Sequence, residues 1–190
     1  IAYTNKDGDE FIAYTMIGAV QKNVGSVNED FSFTNDIITN RIITVTKSGN
    51  NISDYNDLSG KKLAVVTDIA KAALDKNATI KNNNKNTLYP TIEDALSALD
   101  NGSVDAVITD EFNFSPLENA EKYQVLNGEL DKISYAFMFK KGDWVVENWN
   151  EAIYELKSPD YNDKDEFTPM VEKHFGYNAS SFDYVPSKTK

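Results

Sequence analysis

Two short apolar runs in this chain end on groups able to hold a polar small molecule. Leu63-Ala64-Val65-Val66 leads into Thr67 and Asp68, and Ala106-Val107-Ile108-Thr109 leads into Asp110. The first run follows the basic turn Asp57-Leu58-Ser59-Gly60-Lys61-Lys62, and the second follows a helical stretch ending at Gly102. Strands that alternate with helices and end on polar residues are the plan of an open α/β sheet, where ligands bind beyond the carboxyl ends of the strands. Thr67, Asp68 and Asp110 sit at those ends. Each also has a purely structural use. Thr67 or Asp68 can cap a helix over Ile69 to Lys76, and Asp110 can cap one starting at Glu111.

The rest of the composition removes other chemistries. There is no cysteine, which excludes thiol catalysis, disulfides and zinc–thiolate sites. The single histidine, His174, lies on a terminal helix just before Phe175-Gly176, where it acts on the helix electrostatically and not as a catalyst or metal ligand. We expect no catalytic residue, metal or cofactor. With 19 basic and 30 acidic residues the net charge is −11, so nucleic acid and anionic lipid are excluded as partners. Arg41 is the only arginine.

The elements that must position these residues can be read along 190 residues, enough for one large domain or two small lobes. Hydrophobic content of 41% with 12% aromatics excludes wholesale disorder, and no apolar run approaches the roughly 18 residues of a membrane span. Lys6-Asp7-Gly8-Asp9 reads as a turn between two extended pieces, and Met16 to Val20 as either a strand or the start of a helix. The β-branched run Ile37 to Val45 predicts a strand. Leu63 to Val66 is a strand and Ile69 to Lys76 a short helix. Lysine- and asparagine-rich Ala78 to Thr87 reads as a surface loop. Thr91 caps the next helix, with Asp94 at the capping-box position and Gly102 ending it. Asp105 to Thr109 is a strand, Glu111 to Ala120 a helix interrupted by Pro116, and Tyr123 to Leu126 and Ile133 to Phe139 the last strands. Asp143 to Lys157 is a helix whose buried stripe would be Trp149, Ala152, Ile153 and Leu156. Trp144 and Trp149 are expected to pack it. Thr168 and Pro169 would open a terminal helix that Gly176 closes.

The order of these pieces resembles the extracellular solute-binding proteins of polar amino-acid ABC importers (family 3, periplasmic-binding-protein-like type 2). The resemblance rests on Phe31-Ser32-Phe33-Thr34, Arg41 to Lys47, the Asp57 to Lys62 turn and Gly102-Ser103-Val104-Asp105-Ala106-Val107. It continues through Ile133 to Gly142, Asn150-Glu151-Ala152-Ile153 and His174-Phe175-Gly176. It implies a two-lobed α/β fold in which the second lobe, residues 48–132, is inserted in the first. The first lobe, residues 1–47 and 133–190, is shorter than the family pattern requires, either because the form is truncated or because part of the natural chain is absent. The resemblance implies that Asp110 accepts a ligand's ammonium group and that the helix start at Thr67 and Asp68 faces a ligand carboxylate. Tyr3 and Phe31 are candidates for aromatic walls of the cleft, with core packing the first account of both.

Two departures bear on the ligand. Relatives carry a glycine-threonine or glycine-serine pair where Thr67 and Asp68 stand, and Asp68 would repel a carboxylate there. They also carry a Thr-x-x-Arg element before the Phe-Ser segment, whose fork grips a carboxylate. Gly25-Ser26-Val27-Asn28-Glu29-Asp30 contains no arginine, and Arg41 lies on the wrong side to replace it. The expected solute is therefore cationic or amine-bearing.

The resulting expectation is a monomeric binding protein that captures a small polar solute for an ABC permease of the cell membrane. It would be periplasmic, extracellular or lipid-anchored at the cell surface. The absence of cysteine suits a chain whose lipid-attachment cysteine and leader were trimmed ahead of Ile1, although a truncated piece would begin in the same way. The alternatives are a degenerate sensor or interaction module without a solute site, and a cyclohexadienyl-dehydratase-like enzyme, which a single arginine and a terminal histidine disfavour.

Overall fold

The computed structural model describes residues 2–4, 8, 10–12, 15–22, 27–157 and 167–175, with the backbone course alone for 2–4, 10–12, 15–19 and 27–28. The strands are β1 (Ala2–Thr4), β2 (Glu10–Ile12), β3 (Thr15–Gln21), β4 (Phe31–Phe33), β5 (Ile38–Lys47), β6 (Lys62–Val65), β7 (Lys85–Leu88), β8 (Ala106–Asp110), β9 (Tyr123–Val125) and β10 (Asp131–Lys140). The helices are α1 (Val27–Asp30), α2 (Asp68–Lys76), α3 (Ala78–Asn83), α4 (Ile92–Asp100), α5 (Glu111–Phe114), α6 (Val145–Lys157) and α7 (Phe167–Phe175). The chain divides into two compact units, one of residues 1–39, 133–173 and 178–190, the other of residues 40–132 and 174–177. The first division falls inside β5, at Thr39 and Asn40, and the second just after β10 begins, at Lys132 and Ile133.

In the first unit β1 and β2 form an antiparallel hairpin, with Tyr3 opposite Phe11 and Gly8 between them at φ 89°, a backbone that favours glycine. Met16 to Val20, which periodicity left open, is strand β3. It pairs antiparallel with β10, with a bulge between Ala136 and Met138, and β4 pairs with the last residues of β10. Buried Thr34 ties β4 to β10 twice: its N–H donates to the Phe137 carbonyl, and its Oγ1 accepts the Phe137 N–H at 3.1 Å.

Helix α6 corrects two expectations. It begins at Val145, because Asp143 Oδ1 accepts the Val145 N–H at 3.1 Å and so stands before the first turn. Trp144 therefore precedes the helix and is 74% exposed instead of packing it. The buried positions are Val146, Ile153 and Lys157, with Trp149 and Leu156 half-buried and Ala152 exposed. The stripe is turned because a lysine closes it. Lys157 Nζ donates to the Asp36 carbonyl at 3.0 Å and lies 4.6 Å over the Phe167 ring, so its aliphatic stem fills an apolar position while its charge stays bonded. Trp149 does pack, edge-on to Phe137 at 4.9 Å and against Phe139 at 5.9 Å. Helix α7 starts at buried Phe167, so Thr168 lies inside its first turn and does not cap it, and Pro169 occupies a position whose N–H has no helical partner. Gly176 lies outside the described residues.

The second unit is an α/β sheet with strand order β9-β5-β8-β6-β7. The β6–β7 and β6–β8 pairs are parallel, and β5 is antiparallel to β8 and β9. Leu63 to Val65 of β6 and Ala106 to Ile108 of β8 are apolar because both faces of the sheet are covered there. On one face Ala64, Val66, Val107, Ile43 and Val45 meet Ile92, Ala95, Leu96 and Leu99 of α4. On the other Leu63, Val65, Ala106 and Ile108 are buried, and α2 packs against β8. Thr91 caps α4 through the Asp94 N–H, and Gly102, at φ 77°, makes the left-handed turn after it.

Residues Ala78 to Thr87 form α3 and β7, not a loop. Asn77 Oδ1 caps α3 through the Ile80 N–H, while the Asn84 amide donates to the Ile80 carbonyl at 2.7 Å and accepts the Lys61 N–H at 2.9 Å. The run is rich in lysine and asparagine because Ile80 is its one core anchor and every residue of β7 is exposed at the sheet edge. The helix predicted from Glu111 to Ala120 ends at Phe114, since Pro116 has no N–H to continue it. A separate 3-10 turn spans Ala120–Lys122.

Candidate functional site

At the carboxyl ends of β6 and β8 the candidate groups come together on the second unit. Val65 pairs with Ile108, and the Val66 N–H donates to the Ile108 carbonyl at 3.1 Å. Thr67 and Asp110 each follow that pair by two residues, so they stand side by side at the ends of neighbouring strands. Each turns a strand into a helix. Thr67 is extended (φ −116°, ψ 159°), and its Oγ1 accepts the Ala70 N–H at 3.2 Å, capping α2. Asp68 is the first residue of α2 and exposed, adding negative charge at the positive end of the helix. Asp110, also extended (φ −94°, ψ 153°), caps α5, its Oδ1 accepting the Asn113 N–H at 3.2 Å.

Asp110 is only 5% exposed, and a second donor meets it, Asn40 Nδ2 at 3.0 Å from Oδ1. Both hydrogen bonds land on Oδ1, and among the described residues none reaches Oδ2. Asn40 is itself 2% exposed, and its own Oδ1 accepts the Phe112 N–H at 3.2 Å. The next residue, Arg41, grips Glu111 with its fork: Nε to Oε2 at 2.9 Å and Nη2 to Oε1 at 2.7 Å. Glu129 approaches the same guanidinium at 3.9 Å. Burial pushes the Glu111 carboxyl above its ordinary range, and the arginine draws it back only in part. Phe112 stacks on Phe175 at 4.5 Å. Asn40 and Arg41, where β5 enters the unit, thus fasten the strand end and helix start at Asp110, Glu111 and Phe112.

Sequence reasoning missed Asn40. The signal was present, since asparagine is depleted from strands and here stands within the β-branched run Ile37 to Val45. The other two candidates belong to the first unit. Phe31 is half-buried and lines an open groove of about 580 Å³ with Phe33, Lys141, Trp144, Glu147 and Asn150. The Tyr3 backbone lies in β1, and its side chain falls outside the described residues. Among the described residues no group of histidine, cysteine, aspartate and glutamate could hold a metal ion, and no helix is long and apolar enough to cross a membrane.

No protein-family model matches the chain, and no curated protein does. Solved structures do. A Streptococcus thermophilus polar amino acid ABC uptake transporter substrate-binding protein aligns over 94% of this chain and 82% of its own, with a TM-score of 0.67 and 18% identity. A Streptococcus pneumoniae chain named as the second substrate-binding domain of an amino acid ABC transporter aligns over 86% and 73%, with a TM-score of 0.66 and 23% identity. An amino acid ABC transporter substrate-binding protein of the same organism, solved with L-arginine, aligns over 86% and 68%, with a TM-score of 0.55 and 23% identity. The chain has their fold, the two-lobed α/β architecture of solute-binding proteins.

Proposed function

We propose that this chain is a solute-binding protein that captures a small, amine-bearing, amino-acid-like solute and delivers it to an ABC permease of the cell membrane. The observation that carries the reading is Asp110. It is a buried carboxylate at the end of a parallel strand, with Oδ1 doubly bonded and Oδ2 open to one more donor. An ammonium group would supply that donor as a charge-assisted bond in a site shielded from water. Thr67 and Asp68 stand beside it at the start of α2; Phe31 and Tyr3, on the first unit, are further candidates for contact with the solute. Asp68 makes this end of the sheet acidic, which favours cationic over acidic amino acids. A monomer at the cell surface or in the periplasm, lipid-anchored or free, fits that role.

A second reading has an observation of its own. Thr67 Oγ1 and Asp110 Oδ1 are both engaged in helix caps, which is sufficient reason for them in a module that keeps the fold and binds no solute. Titration calorimetry with L-arginine, L-lysine, L-ornithine and L-glutamate separates the two. A solute-binding protein takes up one or more of the three basic amino acids, and Asp110→Asn weakens that uptake by about 1.5–3 kcal/mol, the range for hydrogen bonds to charged groups. No uptake of any of the four supports the degenerate module. Preference for L-glutamate overturns the assignment of an acidic site.

A further inference from the structure

The geometry points to Asn40 as a positioning residue for the solute's ammonium group, a role that rests on the proposed reading of Asp110. A carboxylate can turn about its Cβ–Cγ bond and present either oxygen to any of several directions. At Asp110 that freedom is removed by two donors converging on one oxygen, the Asn113 N–H at 3.2 Å and Asn40 Nδ2 at 3.0 Å. The capping bond comes from the helix that Asp110 itself starts. The Asn40 bond comes from a different strand, 70 residues earlier in the chain, and is the one that ties Oδ1 to the rest of the sheet. With Oδ1 held on both sides, Oδ2 is left as the acceptor for a ligand.

The Asn40 amide is itself fixed at both ends. Its oxygen accepts the Phe112 N–H, so its nitrogen must face Asp110, and an apolar strand residue could make neither bond. At 2% exposure no water competes for either end. The neighbouring pair, Arg41 on Glu111, holds the following residue of the same strand end. Two consecutive residues of β5 thus set the height and rotation of three consecutive residues at the start of α5. Buried asparagine in a strand is unfavourable by itself, and orientation of the binding carboxylate is what it supplies here.

A double-mutant cycle tests this on the intact chain, with affinity measured calorimetrically for whichever of L-arginine, L-lysine and L-ornithine binds best. Asn40→Ala is expected to weaken binding roughly tenfold or more. In an Asp110→Asn background the same change is expected to alter affinity by less than about twofold, because the group it orients has lost its charge. Asn40→Leu, close in shape and compatible with a strand, serves in the same cycle if the alanine variant does not fold. Equal losses in both backgrounds would show that Asn40 acts through general stability, and no loss from Asn40→Ala or Asn40→Leu would show that it does not act at all. Either result overturns the inference while leaving Asp110 in place. A wild-type chain that binds none of the three overturns the reading of Asp110 and the inference with it.

Discussion

Arg41, the chain's only arginine, closes both arms of its fork on Glu111, at 2.9 and 2.7 Å. The residue type best suited to gripping a ligand carboxylate is thus committed to an internal one. Glu111 is 4% exposed at its side chain and Arg41 25%, so the pair is buried on one side only.

Removing one partner of such a pair leaves the other charge uncompensated. Arg41→Ala is expected to destabilise the second unit by about 3 kcal/mol at neutral pH, near the lower end for a buried pair because the guanidinium is partly exposed. Burial already raises the Glu111 carboxyl, and loss of the arginine raises it further. A raised carboxyl binds its proton on folding, so stability due to it falls as pH rises through the raised value and recovers as pH falls. The deficit of the variant should therefore shrink as pH is lowered toward the ordinary carboxyl range. Urea denaturation at neutral and mildly acidic pH measures this, and an identical deficit at both would refute it.

Asp36 should show the opposite sign. Burial pushes its carboxyl up, but the bonds from Lys22, at 2.8 Å, and from Ser134 outweigh it and hold the group below its ordinary 3.8. A lowered carboxyl contributes stability above its unfolded value and loses it as pH falls through the folded one. Lys22→Met should lower neutral stability by at most about 1 kcal/mol, since both side chains are partly exposed, and flatten the fall in stability below about pH 4 by the same amount. Denaturation midpoints across the acid range test it; an unchanged acid limb would mean that Lys22 does not hold the carboxylate.

Trp149 carries the packing of α6 on β10 through Phe137 and Phe139. Trp149→Ala is expected to cost about 3 kcal/mol, at the low end for large aromatics because the ring is only half-buried. Trp144→Ala, at an exposed ring, should fall within about 0.5 kcal/mol of wild type. Chemical denaturation of the two variants side by side is the check, and equal effects would contradict the assigned helix face.

Thr67→Ala should cost about 1 kcal/mol with no solute present, because the Ala70 N–H loses its cap. A melting temperature unaltered from wild type would remove the hydroxyl from that role.

The apolar parallel strands and the caps at Thr67, Thr91 and Asp110 were legible in the sequence because strand burial and helix starts each leave a local residue signature. What escaped was set by partners distant in the chain. Asn40 answers to Asp110 and Phe112, and the turned stripe of α6 follows from Lys157, whose ammonium is satisfied by the Asp36 carbonyl and the Phe167 ring. A charged residue is not counted as apolar by any periodicity, yet four methylenes fill a core position when the charge finds partners. Trp144 was misplaced by two residues of helix boundary, which is the part of an element that pattern reading resolves least.

Strand β7 hid from the sequence because Lys85, Asn86 and Thr87 read as a loop, and those same residues line the outer side of a mixed sheet whose last, parallel ladder is β6 to β7. An open edge of unpaired amides and carbonyls is a template on which another polypeptide can add a strand. A short edge carrying lysine, with one exposed apolar residue at Leu88, resists that addition through charge and hydration. The residues that disguised the strand thereby help keep two copies of the chain from joining edge to edge at high concentration.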